Sequence, residues 1–160
     1  GPQAGFLVGK KSAIQKLQKH PLARALRCDK MQLAAAIATL ELYIRGEAEQ
    51  SVPLLRSMNQ TQAQLRDRCV KWQSIFKQGE IIETPDAAGG GTLPGGELPG
   101  IALALAVDKP DRFLAQMRAC QMPIIGHIVE DRVLIHPRSV HPDDDALLSA
   151  QVHELLTANT

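Results

Sequence analysis

The sequence predicts a small α+β domain that follows the end of a larger α/β body. At 160 residues the chain has room for one domain, or for one small domain and a piece of another. Its apolar content of 44% is enough for a core. In the second part of the chain the patterns follow the order α-β-β-α-β-β-α, which favours one small sheet with helices on one face. We expect the boundary near Met58, so that residues 1–58 end the larger body and residues 59–160 form the small domain.

The first 58 residues predict one short strand and two helices. Phe6-Leu7-Val8 lies between two glycines and predicts a buried strand. Residues 10–19 predict an amphipathic helix that ends before Pro21. Asp29 is a suitable N-cap for the next helix, which ends at Gly46. Apolar residues recur every three or four positions along that helix and predict a buried stripe, formed by Leu33, Ile37, Leu40 and Ile44.

The small domain is predicted to begin with a long helix over residues 61–78. Gly79 stands where a C-cap glycine belongs. A short strand at Ile81-Ile82 is followed by residues 85–100, which hold six glycines and three prolines and predict a loop. Residues 101–107 predict a second strand. The apolar face of the helix is formed by Leu65, Cys69, Trp72 and Phe76.

The remaining elements are predicted to be a helix, a hairpin and a last helix. The first of these covers residues 111–120 and points Phe113, Leu114 and Met117 inward. Residues 124–129 and 132–135 predict a β-hairpin that turns at Glu130-Asp131. The last helix is predicted from Pro142 to about Leu156, with three aspartates near its positive end.

Composition excludes several classes of function. The longest apolar run has the length of a strand, so no membrane span is expected. Three widely spaced cysteines, Cys28, Cys69 and Cys120, argue against a disulfide framework or structural zinc and favour a reducing cytoplasm. Aromatic residues make up only 3% of the chain, so a base-stacking platform for nucleic acid is not expected.

Charge is concentrated at the start of the chain. The first thirty residues hold seven Lys or Arg and one acid, while the whole chain carries a net charge of only +1. Within this cationic segment Arg24 and Arg27 are three positions apart and would share a face if helical. Arginine is the side chain best suited to bind an oxyanion through two hydrogen bonds. The segment therefore indicates an anion site, and the alternative is a solvated basic helix end.

The order of residues is more specific than the charge. The chain opens with Gly1-Pro2-Gln3-Ala4-Gly5, continues with Gly9-Lys10-Lys11, and then has the run from His20 to Lys30, in which Pro21, Leu22, Arg24 and Arg27 stand. Further matches are the run from Ala38 to Tyr43, Gly90 to Pro94 with Leu98-Pro99, Pro123 to Gly126, and Arg138. In these runs the chain resembles the bacterial selenocysteine synthases, the L-seryl-tRNA(Sec) selenium transferases. The resemblance spans nearly the whole chain and is strongest from Gly1 to Tyr43.

The resemblance implies a fold and a cofactor. Family members are fold-type-I enzymes that use pyridoxal 5'-phosphate, and their cofactor lysine lies just upstream of the segment matched by Gly1. Residues 1–58 would then be the tail of the cofactor-binding large domain, and the chain would be the C-terminal part of a larger enzyme, inactive alone. No catalytic residue is assigned in this chain. Gly1, Pro2, Gln3 and His20 are expected near the cofactor, with a helix cap as the alternative for His20.

The resemblance also implies substrates and assembly. Arg24 and Arg27 are expected to bind anionic groups, above all selenophosphate, in the conversion of seryl-tRNA(Sec) to selenocysteinyl-tRNA(Sec). Family members form ring-like homo-oligomers of dimers in the cytoplasm. Their tRNA contacts lie mainly in an N-terminal region, so the cationic segment is not interpreted as a tRNA site. The glycine-rich run from Gly89 to Pro94 is expected to face the catalytic cleft, with a flexible connection as the alternative.

Two histidines depart from the family pattern. His127 and His136 stand where the family tends to have Arg and Asp, and no third ligand for a metal is evident, so no metal site is predicted. The departures leave two alternatives open. One is a related pyridoxal-phosphate lyase or transferase that acts on a small amino acid or amino sugar. The other is a non-catalytic assembly module.

Overall fold

The computed structural model describes residues 1–87 and 96–159. The chain divides into two compact units, Gly1–Arg56 and Ser57–Thr160. The glycine-rich run from Gly89 to Pro94 lies outside the described residues, so its expected place at a cleft stays a prediction. Within the part that the structure describes, the helices are too short or too polar to cross a bilayer.

The described first unit is helical. Asp29 caps its longest helix as predicted, because its Oδ1 accepts a hydrogen bond of 2.8 Å from the Gln32 backbone N–H. Gly46 follows that helix with φ at 71°, a backbone conformation that favours glycine. The helices are α1 (Lys11–Gln18), α2 (Leu22–Ala25), α3 (Lys30–Ile44), α4 (Ala48–Ser51) and α5 (Pro53–Met58), the last of which crosses the unit boundary.

Two predictions for the first unit are wrong. Phe6-Leu7-Val8 forms no strand, and its side chains are exposed. A strand needs a partner for its backbone groups, and the described residues place none beside it. The stripe on α3 is also not buried: Leu33, Ile37, Leu40 and Ile44 are 42% to 84% exposed. The periodic pattern is present, but the described residues of this unit leave these four side chains largely exposed.

The second unit has the predicted order of helices and strands. Its α+β fold confirms the predicted fold class. The first strand is longer than predicted, because residues on both sides of the glycine-rich run pair with each other, from Asp86 with Leu98 back to Glu80 with Ala104. The elements are α6 (Gln62–Phe76), β1 (Glu80–Ala87), β2 (Glu97–Ala106), α7 (Pro110–Arg118), β3 (His127–Val129), β4 (Arg132–Ile135) and α8 (Asp145–Ala158).

The described strands form one antiparallel sheet in the order β1-β2-β4-β3. The predicted hairpin is confirmed, and both turn residues, Glu130 and Asp131, have positive φ, as a tight two-residue turn requires. α6 ends two positions earlier than predicted. Its left-handed C-cap is Lys77, with φ at 58°, and Gly79 follows with φ at 106°. A side chain at Gly79 would also press on Leu103 and Leu105.

The core lies between the sheet and the helices α6, α7 and α8. The predicted inward residues of α6 and α7 are buried, which confirms both apolar faces. Trp72 on α6 is 1% exposed. Successive residues of a strand point to opposite faces, so the other face of the sheet receives Asp86 from β1, Ala102 and Ala104 from β2, and Leu134 from β4. His136 continues that face just beyond the end of β4.

Candidate functional site

The cationic segment is organised around the break between α1 and α2. His20 lies at this break, and its Nδ1 accepts a hydrogen bond of 3.2 Å from the Leu22 backbone N–H. Pro21 is the N-cap residue of α2 and has no N–H of its own. His20 therefore caps α2, and its Nε2, which carries the proton in this tautomer, is the ring nitrogen left for another partner.

Arg24 and Arg27 do not share a helical face. α2 ends at Ala25, Leu26 is its C-cap, and Arg27 lies in the link that leads to α3. The helix that the prediction assumed is not present over both arginines, because α2 ends at Ala25, before Arg27. Both side chains are exposed, and within the described residues neither has a hydrogen bond or ion pair. Two unpaired guanidinium groups three positions apart remain available to an anion.

The first residue of the chain lies against α3. Gly1 lies so close to Thr39 that any side chain at position 1 would overlap it. Thr39 in turn donates from Oγ1 to the Ala35 carbonyl at 2.9 Å. In the described structure no hydrogen bond or ion pair joins Gly1, Pro2 or Gln3 to the arginines. The glycine at position 1 is thus explained by close packing, and its expected place near a cofactor stays a prediction.

The second unit holds a buried charged network on the face of the sheet opposite the helices. Asp86 on β1 accepts from His136 Nδ1 at 2.5 Å and from Arg138 Nε at 2.7 Å. The side chain of Asp86 is 5% exposed, and the side chain of Arg138 is 6% exposed. Gly100 of β2 lies beside Asp86 of β1, and a side chain at position 100 would overlap the carboxyl group of Asp86. This glycine is required because Asp86 occupies the space.

Arg138 uses every nitrogen of its guanidinium group. Nη1 donates to the carbonyls of Ser57, Met58 and Gln60, at 2.8, 3.2 and 3.1 Å. Nη2 donates to the Pro99 carbonyl at 2.7 Å. A buried charge with this set of partners positions backbone rather than substrate.

The ionisation of Asp86 follows from these partners. Burial alone would raise its pKa, but hydrogen bonds from His136 and Arg138, together with their charges, lower the pKa below its ordinary value. The carboxylate therefore stays charged at neutral pH and holds Arg138 in place.

His136 stacks on His127 of β3, with ring centroids 5.0 Å apart and planes inclined by 22°. Burial, and then the charge of His136, lower the pKa of His127. The two rings line a cavity of about 470 Å³ with His141 and the loop from Met122 to Gly126. Among the described residues, no group of three or more His, Cys, Asp or Glu side chains is arranged so that it could hold a metal ion. His136 Nε2 is buried and has no hydrogen-bond partner in the described structure.

A second buried arginine lies near the first. Arg68 on α6 forms a two-bond ion pair with Asp145, with Nη2 to Oδ1 at 2.6 Å and Nε to Oδ2 at 2.8 Å. It also donates to the carbonyls of Pro137 and Val140. Its guanidinium carbon lies 5.5 Å from the ring centroid of Trp72. Arg68 thus joins α6 to the turn before α8.

Comparison with known proteins identifies the family. The family model described as SelA, L-seryl-tRNA selenium transferase, matches residues 1–141. The chain belongs to the L-seryl-tRNA selenium transferase family. This confirms the resemblance read from the sequence runs.

Individual relatives agree with the family model. An L-seryl-tRNA(Sec) selenium transferase of Aquifex aeolicus is 34% identical over 164 aligned positions, which cover 98% of this chain and 36% of the relative. One from Proteus mirabilis is 37% identical and covers 94% of this chain and 35% of the relative. One from Geobacter sulfurreducens is 34% identical, with 97% and 36% covered. The chain thus spans about a third of the length of these selenium transferases.

Sequence reasoning missed the network around Asp86. Arg138 stood out only as a match to the selenium transferases, and Asp86 fell in a run interpreted as a loop because of its glycines and prolines. No local signal marks Asp86, since its partners are 50 and 52 positions further along the chain. Gly100 and Asp86 are linked only across the sheet, which a sequence pattern does not reveal.

Proposed function

We propose that this chain is the C-terminal part of a pyridoxal-phosphate-dependent L-seryl-tRNA(Sec) selenium transferase. The whole enzyme would convert seryl-tRNA(Sec) to selenocysteinyl-tRNA(Sec) with selenophosphate as the selenium donor. The observation that carries the proposal is the match of relatives with this name over 94% to 98% of the chain. Because the chain covers only about a third of those relatives, the activity belongs to the longer protein.

Arg24 and Arg27 are proposed to bind selenophosphate. Their support is chemical: both guanidinium groups are exposed, and in the described residues neither is neutralised by a carboxylate. Selenophosphate is a phosphate-like anion, and a planar guanidinium group can donate two parallel hydrogen bonds to two of its oxygens. The link after α2 lets the two side chains approach one anion from different directions.

Pyridoxal 5'-phosphate is the proposed cofactor of the whole enzyme. When bound, it supplies the electron withdrawal that lets the seryl hydroxyl leave. In this chain His20 fits the surroundings of such an anionic group, because its Nδ1 is occupied by the Leu22 N–H and its Nε2–H remains a donor. Gly1, Pro2 and Gln3 are proposed to lie near the cofactor through their backbone. The lysine that holds the cofactor is proposed to precede Gly1.

The whole enzyme is proposed to act as a homo-oligomer built from dimers. Support comes from α3, which carries exposed apolar residues around much of its circumference, among them Met31 and Ile44, each 84% exposed. A helix that is apolar on all sides is stable when it is buried. The missing cover is proposed to come from the rest of the large domain and from a second subunit.

The test uses the complete protein encoded by the reading frame that contains this sequence. The purified protein should show the visible absorbance of bound pyridoxal 5'-phosphate, and it should convert seryl-tRNA(Sec) only when selenophosphate is added. Arg24→Ala and Arg27→Ala should each raise the KM for selenophosphate by about tenfold or more, because each removes a charge-assisted hydrogen bond. Arg45→Ala is the matched control, since Arg45 is also exposed in the first unit but pairs with Glu47.

The outcomes separate the candidates. Bound cofactor with no conversion, but with turnover of a small amino acid, would favour a related lyase. A complete protein without cofactor would refute the transferase proposal. If the Arg24 and Arg27 variants have the same KM for selenophosphate as the Arg45 variant, the anion site is refuted, but the transferase proposal is not. The 160-residue chain by itself is expected to show no conversion.

A further inference from the structure

The segment Ser57–Gln60, called the strap here, begins the second unit immediately after the boundary at Arg56. It contains the end of α5 and the short link to α6. The strap contributes little to apolar packing. Asn59 is exposed, the other three residues are half-buried, and none of the four belongs to the main apolar core of the unit. The strap does not pair with any described strand.

Two buried arginines form hydrogen bonds to the strap. Arg138 donates from one nitrogen, Nη1, to the carbonyls of Ser57, Met58 and Gln60. Arg68 adds a bond of 3.2 Å from its Nη1 to the Gln60 side-chain oxygen. These bonds join the strap to the turn after β4 and to α6.

The Arg138 guanidinium group is itself fixed from the other side. Asp86 accepts from its Nε, and the Pro99 carbonyl accepts from its Nη2. These partners lie on β1 and β2, in the sheet. The guanidinium group therefore connects the sheet to a segment that contributes no residue to the main apolar core.

We propose that Arg138 is a latch. With Asp86 holding it in the sheet, it fixes the place at which the chain enters the second unit, and its loss releases the strap while the sheet and core stay folded. Ser57–Gln60 can therefore open locally when the bonds from Arg138 to this segment are broken. The latch is independent of the proposed transferase activity, because it depends only on contacts inside the second unit.

Hydrogen exchange of the 160-residue chain tests the latch. The measurement compares amides of the strap with amides of β2 from Ala102 to Leu105 by mass spectrometry at one pH. Arg138→Met keeps the apolar part of the side chain and removes all of its hydrogen-bond donors. Arg138→Lys keeps a positive charge beside Asp86 but lacks the planar set of guanidinium N–H donors. Arg132→Met is the matched control, since Arg132 forms ion pairs with Glu80 and Glu130 and makes no bond to the strap.

Both Arg138 variants should speed exchange of the strap amides by at least tenfold, to the rate of an unstructured peptide, while the β2 amides stay protected and the Arg132 variant resembles the wild type. Unchanged strap exchange in Arg138→Met would overturn the latch. Loss of β2 protection to the rate of an unstructured peptide, in both Arg138 variants, would also overturn it, because the sheet would then open together with the strap.

Discussion

Asp86→Asn tests the buried network most directly. The substitution keeps the size of the side chain and removes its charge, so Arg138 is left buried without a counter-ion. The ion pair is 2.7 Å long, and both side chains are at most 6% exposed, so water cannot replace the lost partner. The Asn side chain must also direct its NH2 group toward either His136 or Arg138. At that position a hydrogen bond is lost, because two donors then face each other.

The expected loss is about 3 kcal/mol in the free energy of unfolding of the second unit. Removing one member of a buried pair costs roughly 3–5 kcal/mol, and the low end applies because Asn can still accept one hydrogen bond. For a unit of this size, that loss lowers Tm by on the order of 10–20 °C. Glu83→Gln is the control on the same strand: its ion pair with Arg66 has a carboxylate that is 70% exposed, so its loss should cost under about 0.5 kcal/mol.

Urea unfolding followed by tryptophan fluorescence gives the answer. Trp72 is the single tryptophan of the chain and lies in the core of the second unit, so its emission reports that unit. A loss below about 0.5 kcal/mol for Asp86→Asn, equal to that of Glu83→Gln, would show that the buried charge contributes no net stability and would refute this reasoning.

Two further predictions concern ionisable groups. Because the folded pKa of Asp86 is lowered from its ordinary 3.8, its contribution to stability should be fully present well above pH 3.8 and be lost as the pH falls through the lower folded value. Urea midpoints measured from pH 7 to pH 3 should therefore fall less steeply at the acidic end in Asp86→Asn than in the wild type; parallel curves would contradict this. Burial raises the pKa of the Cys69 thiol to about 12, so an aromatic disulfide reagent at pH 8 should modify exposed Cys28 first and Cys69 only in denaturant. Peptide mapping that found both equally modified in the native protein would be the contrary result.

The comparison of sequence and structure differs between the two units. In the second unit the helix faces on α6 and α7 were predictable because each is buried by elements within the same unit. In the first unit the pattern on α3 predicts burial equally well, but the described residues of that unit do not cover it. A periodic stripe shows which face requires a partner, and it does not show whether the partner belongs to the same stretch of chain.

For the candidate site, too, the local features were predictable and the spatial arrangement was not. Arg24 and Arg27 were found because their residue types and their neighbours match a family, which is local information. Their relation in space was not predictable, because the end of α2 at Ala25 depends on backbone contacts that the spacing of two arginines does not encode.

The sequence alone determined the family, the order of elements from α6 to α8, and the apolar faces that form the core, because each depends on neighbours a few positions apart. Only the tertiary structure decided the length of β1 and the network of Asp86, His136 and Arg138. These depend on pairing across the sheet between residues about 50 positions apart. A buried carboxylate becomes favourable only when such distant partners converge on it, so its role is a property of the folded unit and not of its own segment.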